Sequence, residues 1–99
     1  MKLMLICAGG MSTSILMKKM EKYAEEKGIP LEKIQARSAS GCEEDAAEYD
    51  AILLGPQVSY QKESIAQKTG KPVAVIAPYD YAIGNVENIF AEINKLLAK

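Results

Sequence analysis

The stretch Lys2-Leu-Met-Leu-Ile-Cys-Ala-Gly-Gly-Met-Ser-Thr-Ser14 decides the fold. From Leu3 to Cys7 it is apolar without interruption rather than alternating, the pattern of a strand buried on both faces. Gly9 and Gly10 break the run, and from about Ser12 to Lys27 the period changes. Leu16, Met20, Tyr23 and Ala24 then share one helical face, with Lys18, Lys19, Glu21, Lys22, Glu25 and Glu26 largely elsewhere. Gly28 and Pro30 mark the helix end. A central strand passing through glycines into an amphipathic helix is the opening unit of an α/β sheet.

The rest of the chain repeats the alternation. Leu31 to Ser38 places Ile34 and Ala36 between Lys33, Gln35 and Arg37, a half-buried pattern suited to an edge strand. Residues 39–50, with Gly41 and Glu43-Glu44-Asp45, are polar and predict a loop with at most a short helix. Ala51-Ile-Leu-Leu-Gly55 is a second fully apolar strand, stopped by Gly55-Pro56. Gln57 to Thr69 predicts a weaker amphipathic helix, with Val58, Ile65 and Ala66 inward, closed by Gly70. Pro72-Val-Ala-Val-Ile-Ala77 is the fourth strand, ended by Pro78. Behind an Asn85 N-cap, Val86, Ile89, Phe90, Ile93, Leu96 and Leu97 form a core-facing helical stripe. Right-handed crossovers then imply an open four-stranded parallel sheet, order 2-1-3-4, with helices on both faces. Residues 1–99 are read as a single domain.

Composition narrows the function. Twelve basic against 13 acidic residues give a net charge of −1, without the basic footprint of a nucleic-acid binder. There is no histidine, so the chain cannot supply a Ser-His-Asp or Cys-His pair, a histidine metal ligand or its own phosphohistidine. Cys7 and Cys42 are isolated from each other, with neither a Cys-x-x-Cys pair nor a zinc-type cluster. The apolar run at the start is too short for a signal peptide, and no other run approaches a membrane span of ~20 residues. The expectation is a cytoplasmic protein with reduced thiols and no direct membrane insertion.

In a sheet of this order, ligands bind beyond the carboxyl ends of the first and third strands, where Cys7 falls. The small residues of Cys7-Ala-Gly-Gly-Met-Ser-Thr-Ser14 let backbone N–H groups converge on an anion at a helix N-terminus. The same field favours a thiolate nucleophile. An isolated cysteine ending a strand is more often a core residue, and Gly-Gly is often only a turn. Here the glycines and a hydroxyl-rich helix start shift the reading of Cys7 toward chemistry. Ser12, Thr13 and Ser14 serve as N-caps or as phosphate donors. Cys42 has no comparable setting. The Cys7 loop lacks the Gly-Lys-Ser/Thr ending of a P-loop, no strand is followed by Gly-x-Gly-x-x-Gly, and Leu54-Gly55 stands where a receiver domain needs aspartate.

Cys-x-x-Gly-Met-Ser-Thr-Ser at 7–14 and Leu-Leu-Gly-Pro-Gln at 53–57 give the chain a specific resemblance, over essentially its whole length, to the IIB component of the lactose/cellobiose family of the phosphoenolpyruvate-dependent sugar phosphotransferase system. The resemblance implies a Rossmann-like fold related to low-molecular-weight tyrosine phosphatases. It implies that Cys7 takes a phosphoryl group from a phosphohistidine of a IIA partner and passes it to a sugar held by the membrane IIC component. Cys7 is then the catalytic residue, and Ala8, Gly9, Gly10, Met11, Ser12, Thr13 and Ser14 are the phosphate cradle. The phosphatases carry Cys-x5-Arg, whereas the arginine position here is Thr13; the bidentate clamp for hydrolysis is missing. No Asp-Pro general acid is present either.

Gln57, beside the loop in this strand order, either contacts phosphate or a partner or caps the following helix. Tyr60 and Tyr81 are candidates for a docking face, although Tyr81-Ala82 departs from the Tyr-Gly pair expected in the family. No metal or organic cofactor is implied. The residues alone also admit a cysteine-dependent low-molecular-weight phosphatase or arsenate reductase, or a non-catalytic regulatory binding module. The sugar implied by the family is a β-disaccharide such as cellobiose or lactose, and the start at Met1 favours a free subunit, expected to be monomeric.

Overall fold

The computed structural model describes residues 1–6, 11–37 and 42–97, the side chains of 11–13 and 42–43 excepted. In chain order it contains β1 (Lys2–Ile6), α1 (Met11–Lys27), β2 (Lys33–Arg37), α2 (Cys42–Asp45) running into a 3-10 turn (Ala46–Glu48), β3 (Ala51–Leu54), a 3-10 segment (Pro56–Gln61), α3 (Lys62–Thr69), β4 (Val73–Val75), α4 (Pro78–Ile83) and α5 (Val86–Leu97). All pairings are parallel, and the strand order is β2-β1-β3-β4. This is the order that the two apolar strands predict for the centre.

Strand alternation divides the core into two layers. Leu3, Leu5, Ala51 and Leu53 face one way and meet Leu16, Met20 and Ala24 of α1 with Ile89, Phe90 and Ile93 of α5. Met4, Ile6, Ile52 and Leu54 face the other way, against Ala46, Tyr49, Val58 and Ile65. Period 2 in β1 and β3 thus explains why every residue there beyond Lys2 is buried: each face has its own helical cover. Burying a leucine or isoleucine side chain in such a layer is worth about 1.5–3 kcal/mol.

Three expectations are corrected. The helix expected over 57–69 begins as a 3-10 segment behind Pro56, with Val58 at φ −117°, ψ 18°, and becomes α-helical only at Lys62. That departure lets both Val58 and Ile65 reach the same apolar layer. The fourth strand, expected over Pro72–Ala77, spans only Val73–Val75, and Pro78, which does follow its end, occupies the first turn of a helix that Gly84, at φ +68°, ends in a left-handed conformation. Leu97, assigned to the core stripe, is 37% exposed. A 12-residue helix is ~18 Å long and outruns the ~10 Å of a three-residue strand, so its last residue passes the sheet.

The polar 42–50 segment contributes two core residues that its composition conceals. Ala46 and Tyr49 are each 1% exposed. The Tyr49 ring lies under the Lys33 ammonium, 5.2 Å from its centroid, and Lys33 bonds Glu48 at 3.2 Å. Hydrogen bonding to the Glu48 carboxylate raises the Lys33 pKa above its ordinary value. Asn85 caps α5 as expected, its side-chain oxygen accepting from the Asn88 N–H at 3.4 Å.

Candidate functional site

Helix α1 follows β1 on one face of the sheet and α3 follows β3 on the other, so their connections part above the carboxyl ends of β1 and β3. These ends are locked together. Ile6 and Leu54 are register partners, and the Gly55 N–H donates to the Ile6 carbonyl at 2.8 Å. The Ile76 N–H donates to the Leu54 carbonyl at 2.8 Å, tying in the end of β4. The backbone is therefore fixed up to Ile6.

Only four residues separate β1 from α1, so the 17-residue helix begins at the same end of the sheet. Its first N–H groups have no intrahelical acceptors and carry the positive end of the helix dipole. Glu63, Asp80 and Glu87 lie in the first turns of α3, α4 and α5, whereas the first turn of α1 has no acidic residue. Its positive potential is thus uncompensated by its own side chains, the condition under which a helix start holds an anion.

Cys7, Ala8, Gly9 and Gly10 lie outside the described residues, as do the side chains of Met11, Ser12, Thr13 and Cys42. The backbone of residues 11–14 forms the first turn of α1, and Ser14 is exposed. Gln57 is exposed as the second residue of the 3-10 segment after β3. It caps no helix: the N-cap positions of the 3-10 segment and α3 are Gly55 and Gln61. Tyr60, 81% exposed, accepts a hydrogen bond from the Gln61 amide at 3.0 Å. Tyr81 lies on another element, α4, and lines a cleft of about 180 Å³ with Ile15, Lys19 and Gly84. Tyr81 therefore stands against the start of α1, while Gln57 and Tyr60 approach from the β3 side.

Sequence reasoning missed the apolar rim of this end. Ile15 and Ile83 are half exposed, and Tyr79 more so. Ile15 carried a signal, since it falls off the Leu16, Met20, Ala24 face. Gly84 closes the cleft because any Cβ there would sit 2.7 Å from the Lys19 ammonium nitrogen, on a backbone already at positive φ. The chain's single arginine is engaged elsewhere: Arg37 donates through Nε to Asp45 at 3.1 Å and through Nη1 to the Ala36 carbonyl at 3.0 Å. Among the described residues no group of three or more His, Cys, Asp or Glu side chains could hold a metal ion, and no helix is long and apolar enough to cross a membrane.

Residues 2–92 match the family model described as "PTS system, Lactose/Cellobiose specific IIB subunit". The chain is 38% identical over 101 residues to the galactose-specific EIIB component of Lactococcus lactis subsp. cremoris (strain MG1363), covering 94% of this chain and 93% of that protein. It is 37% identical, with the same coverage, to the cellobiose-specific EIIB component of Lactococcus lactis subsp. lactis (strain IL1403). Among solved structures, the cellobiose-specific phosphotransferase IIB component of Borrelia burgdorferi superposes with a TM-score of 0.79 at 31% identity, covering 99% of this chain and 92% of that one. A sheet of order 2-1-3-4, an anion-ready helix start beyond β1, and this match over nearly the whole length agree: the chain belongs to the lactose/cellobiose-specific IIB subunits of the sugar phosphotransferase system.

Proposed function

We propose that Cys7 is the phosphoryl carrier of this IIB component, and that residues 8–14 cradle the phosphate through backbone N–H groups and the hydroxyls of Ser12, Thr13 and Ser14. IIB components are phosphotransferases that work with a IIA component and a membrane IIC component. The observation that carries the reading is the uncompensated start of α1, four residues beyond the locked ends of β1 and β3, with a cysteine as the first residue of the connection.

In the first step the Cys7 thiolate attacks the phosphorus of a IIA phosphohistidine. The S–P bond forms as the P–N bond breaks, and the histidine leaves with the electron pair and takes up a proton. In the second, a sugar hydroxyl held by IIC attacks the same phosphorus, the S–P bond breaks, the thiolate returns, and the hydroxyl proton passes to a base. With no histidine in this chain, the phosphohistidine comes from the partner.

The absence of an arginine clamp supports transfer over hydrolysis. Thr13 stands at that position, and the guanidinium of Arg37 is committed to Asp45 and Ala36. The names of the relatives favour a galactose- or cellobiose-type sugar, and in this reading the protein acts as one domain at the cytoplasmic side of IIC. Gln57, Tyr60 and Tyr81 flank the same end of the sheet from both sides and are the contacts we assign to partners or phosphate.

The test is phosphorylation from labelled phosphoenolpyruvate with the two general phosphotransferase proteins and the IIA partner. Label should appear on Cys7, persist in Cys42→Ser and vanish in Cys7→Ser. An unlabelled protein, or one that instead hydrolyses an aryl phosphate by itself through Cys7, refutes the carrier reading.

A further inference from the structure

The lysines of α1 differ in what stands beside them. Residues three and four positions apart share a helix face, so Lys18 has Glu21 within reach, and Lys22 has Glu25 and Glu26. Lys27 lies over the Tyr23 ring, 6.0 Å from its centroid. The positions three and four away from Lys19 are Ile15, Leu16, Lys22 and Tyr23, which offer it no carboxylate. Nor does another element supply one: among the described residues the ion pairs join Met1 to Glu32, Lys33 to Glu48 and Arg37 to Asp45. Asp80 of α4 instead accepts from the Asn88 amide at 3.3 Å and lines a recess at the carboxyl end of β4.

Packing nevertheless holds this ammonium in place. Helical side chains lean toward the start of their helix, so Lys19 extends back over Ile15 toward the first turn of α1. Opposite, Gly84 has no side chain, and a Cβ there would fall 2.7 Å from the Lys19 nitrogen and 3.0 Å from its Cδ. The lysine stem therefore lies against the bare backbone that ends α4. With Ile15, Leu16, Tyr81 and Ala82 it lines the cleft of about 180 Å³. The apolar rim continues on α4, where Tyr79 and Ile83 are one turn apart and 70% and 50% exposed. A cationic end in an apolar-walled cleft, at the end of the sheet where α1 begins, is complementary to a carboxylate carried among apolar side chains.

We propose that Lys19 anchors the phosphoryl donor: a carboxylate on the IIA component enters this cleft, pairs with the Lys19 ammonium and lays its apolar neighbours on Ile15 and Ile83. The inference rests on the carrier reading of Cys7 and adds to it the chemistry of the partner's surface. Charge assigns the anchor to the donor rather than to IIC. While Cys7 is unloaded, the cleft and the α1 start attract an acidic surface. Once Cys7 carries a phosphoryl dianion, that group repels a carboxylate seated nearby and favours release. An acceptor that must recognise the loaded form gains nothing from an acidic group at this point. In this role Lys19 sets the donor's affinity and its salt dependence, and not the transfer step.

Isothermal titration of the full chain with the unphosphorylated IIA component measures docking apart from phosphoryl transfer. Lys19→Glu should weaken binding about tenfold or more, Lys19→Gln about threefold to tenfold, and Lys19→Arg should keep it. Added salt should weaken the wild type more steeply than Lys19→Gln. Lys19 is exposed, so these variants should fold, which circular dichroism checks. A carbodiimide, which joins an amine to a carboxylate, should give a major cross-link from Lys19 to an aspartate or glutamate of IIA. That cross-link should be absent in Lys19→Arg, which still binds. A wild type that does not bind, unchanged affinity in Lys19→Glu, or cross-links confined to other lysines overturns the proposal. A Cys7 that takes no label from IIA while the binding pattern holds overturns the carrier reading alone.

Discussion

Phe90→Ala tests whether the α1/α5 layer positions the site. Phe90 is 2% exposed, stacks on Tyr23 with ring centroids 5.5 Å apart and planes at 19°, and shares a cluster with Leu16, Met20 and Ala24 of α1. Truncating a buried phenylalanine costs about 3–5 kcal/mol in lost transfer energy and residual cavity. A chain of this length has a total stability of about 5–15 kcal/mol, so the loss is about a fifth of it or more. At about 4–8 °C per kcal/mol, the melting midpoint should fall by roughly 12–40 °C. The cost follows from urea unfolding read by far-ultraviolet circular dichroism, with amide exchange reporting that α1 loosens together with α5. Phe90→Leu keeps most of the volume but loses the ring pair. A cycle with Tyr23→Leu should isolate a coupling of about 0.5–1.5 kcal/mol. If Phe90→Ala costs less than about 1 kcal/mol, or α1 exchange is unchanged, α5 does not seat α1 and the account of how the helix start is held fails.

The electrostatic part of the site is tested by Ser14→Glu, which places a carboxylate in a first turn that has no acidic residue. Two like charges ~8 Å apart in a solvated setting repel by about 0.5–1 kcal/mol, so a Cys7 thiol at the helix start should have its pKa, read from the pH dependence of alkylation in a Cys42→Ser background, raised by roughly half a unit. An unchanged or lowered pKa excludes a helix-start thiolate. At Tyr49, the hydroxyl lies 3.5 Å from Gln35 while the ring is 1% exposed, so packing outweighs the hydrogen bond. Tyr49→Phe should cost under about 1 kcal/mol and Tyr49→Ala about 3–5 kcal/mol, measured by denaturant unfolding; comparable costs would mean the hydroxyl dominates.

That imbalance at Tyr49 also explains why part of the fold escapes a reading of residues in order. β1, β3 and α5 are legible because their burial follows a period, continuous in the first two and helical in the third. The sheet order follows from which strands lack a polar face. Tyr49 has no period around it: its neighbours in the chain are Glu48 and Asp50, and only its distant neighbours Met4, Ile6 and Ile52 make it core. Six residues of α4 are likewise too few for a periodic signal, leaving only Pro78 and Gly84 as punctuation, and each is equally at home in a loop.

The candidate site divides along the same line. Cysteine, paired glycines and three hydroxyl residues after an apolar strand suggest an anion-binding connection by their chemistry, independent of contacts. The rim is defined only by contacts. Ile15 becomes a cleft residue because α4 brings Tyr81 and Gly84 to the start of α1, and α4 itself is not periodic. The residues proposed to act on phosphate are therefore readable from type and spacing. Those proposed to face a partner come from three separate elements, α1, α4 and the 3-10 segment after β3, which only the 2-1-3-4 sheet gathers at one end.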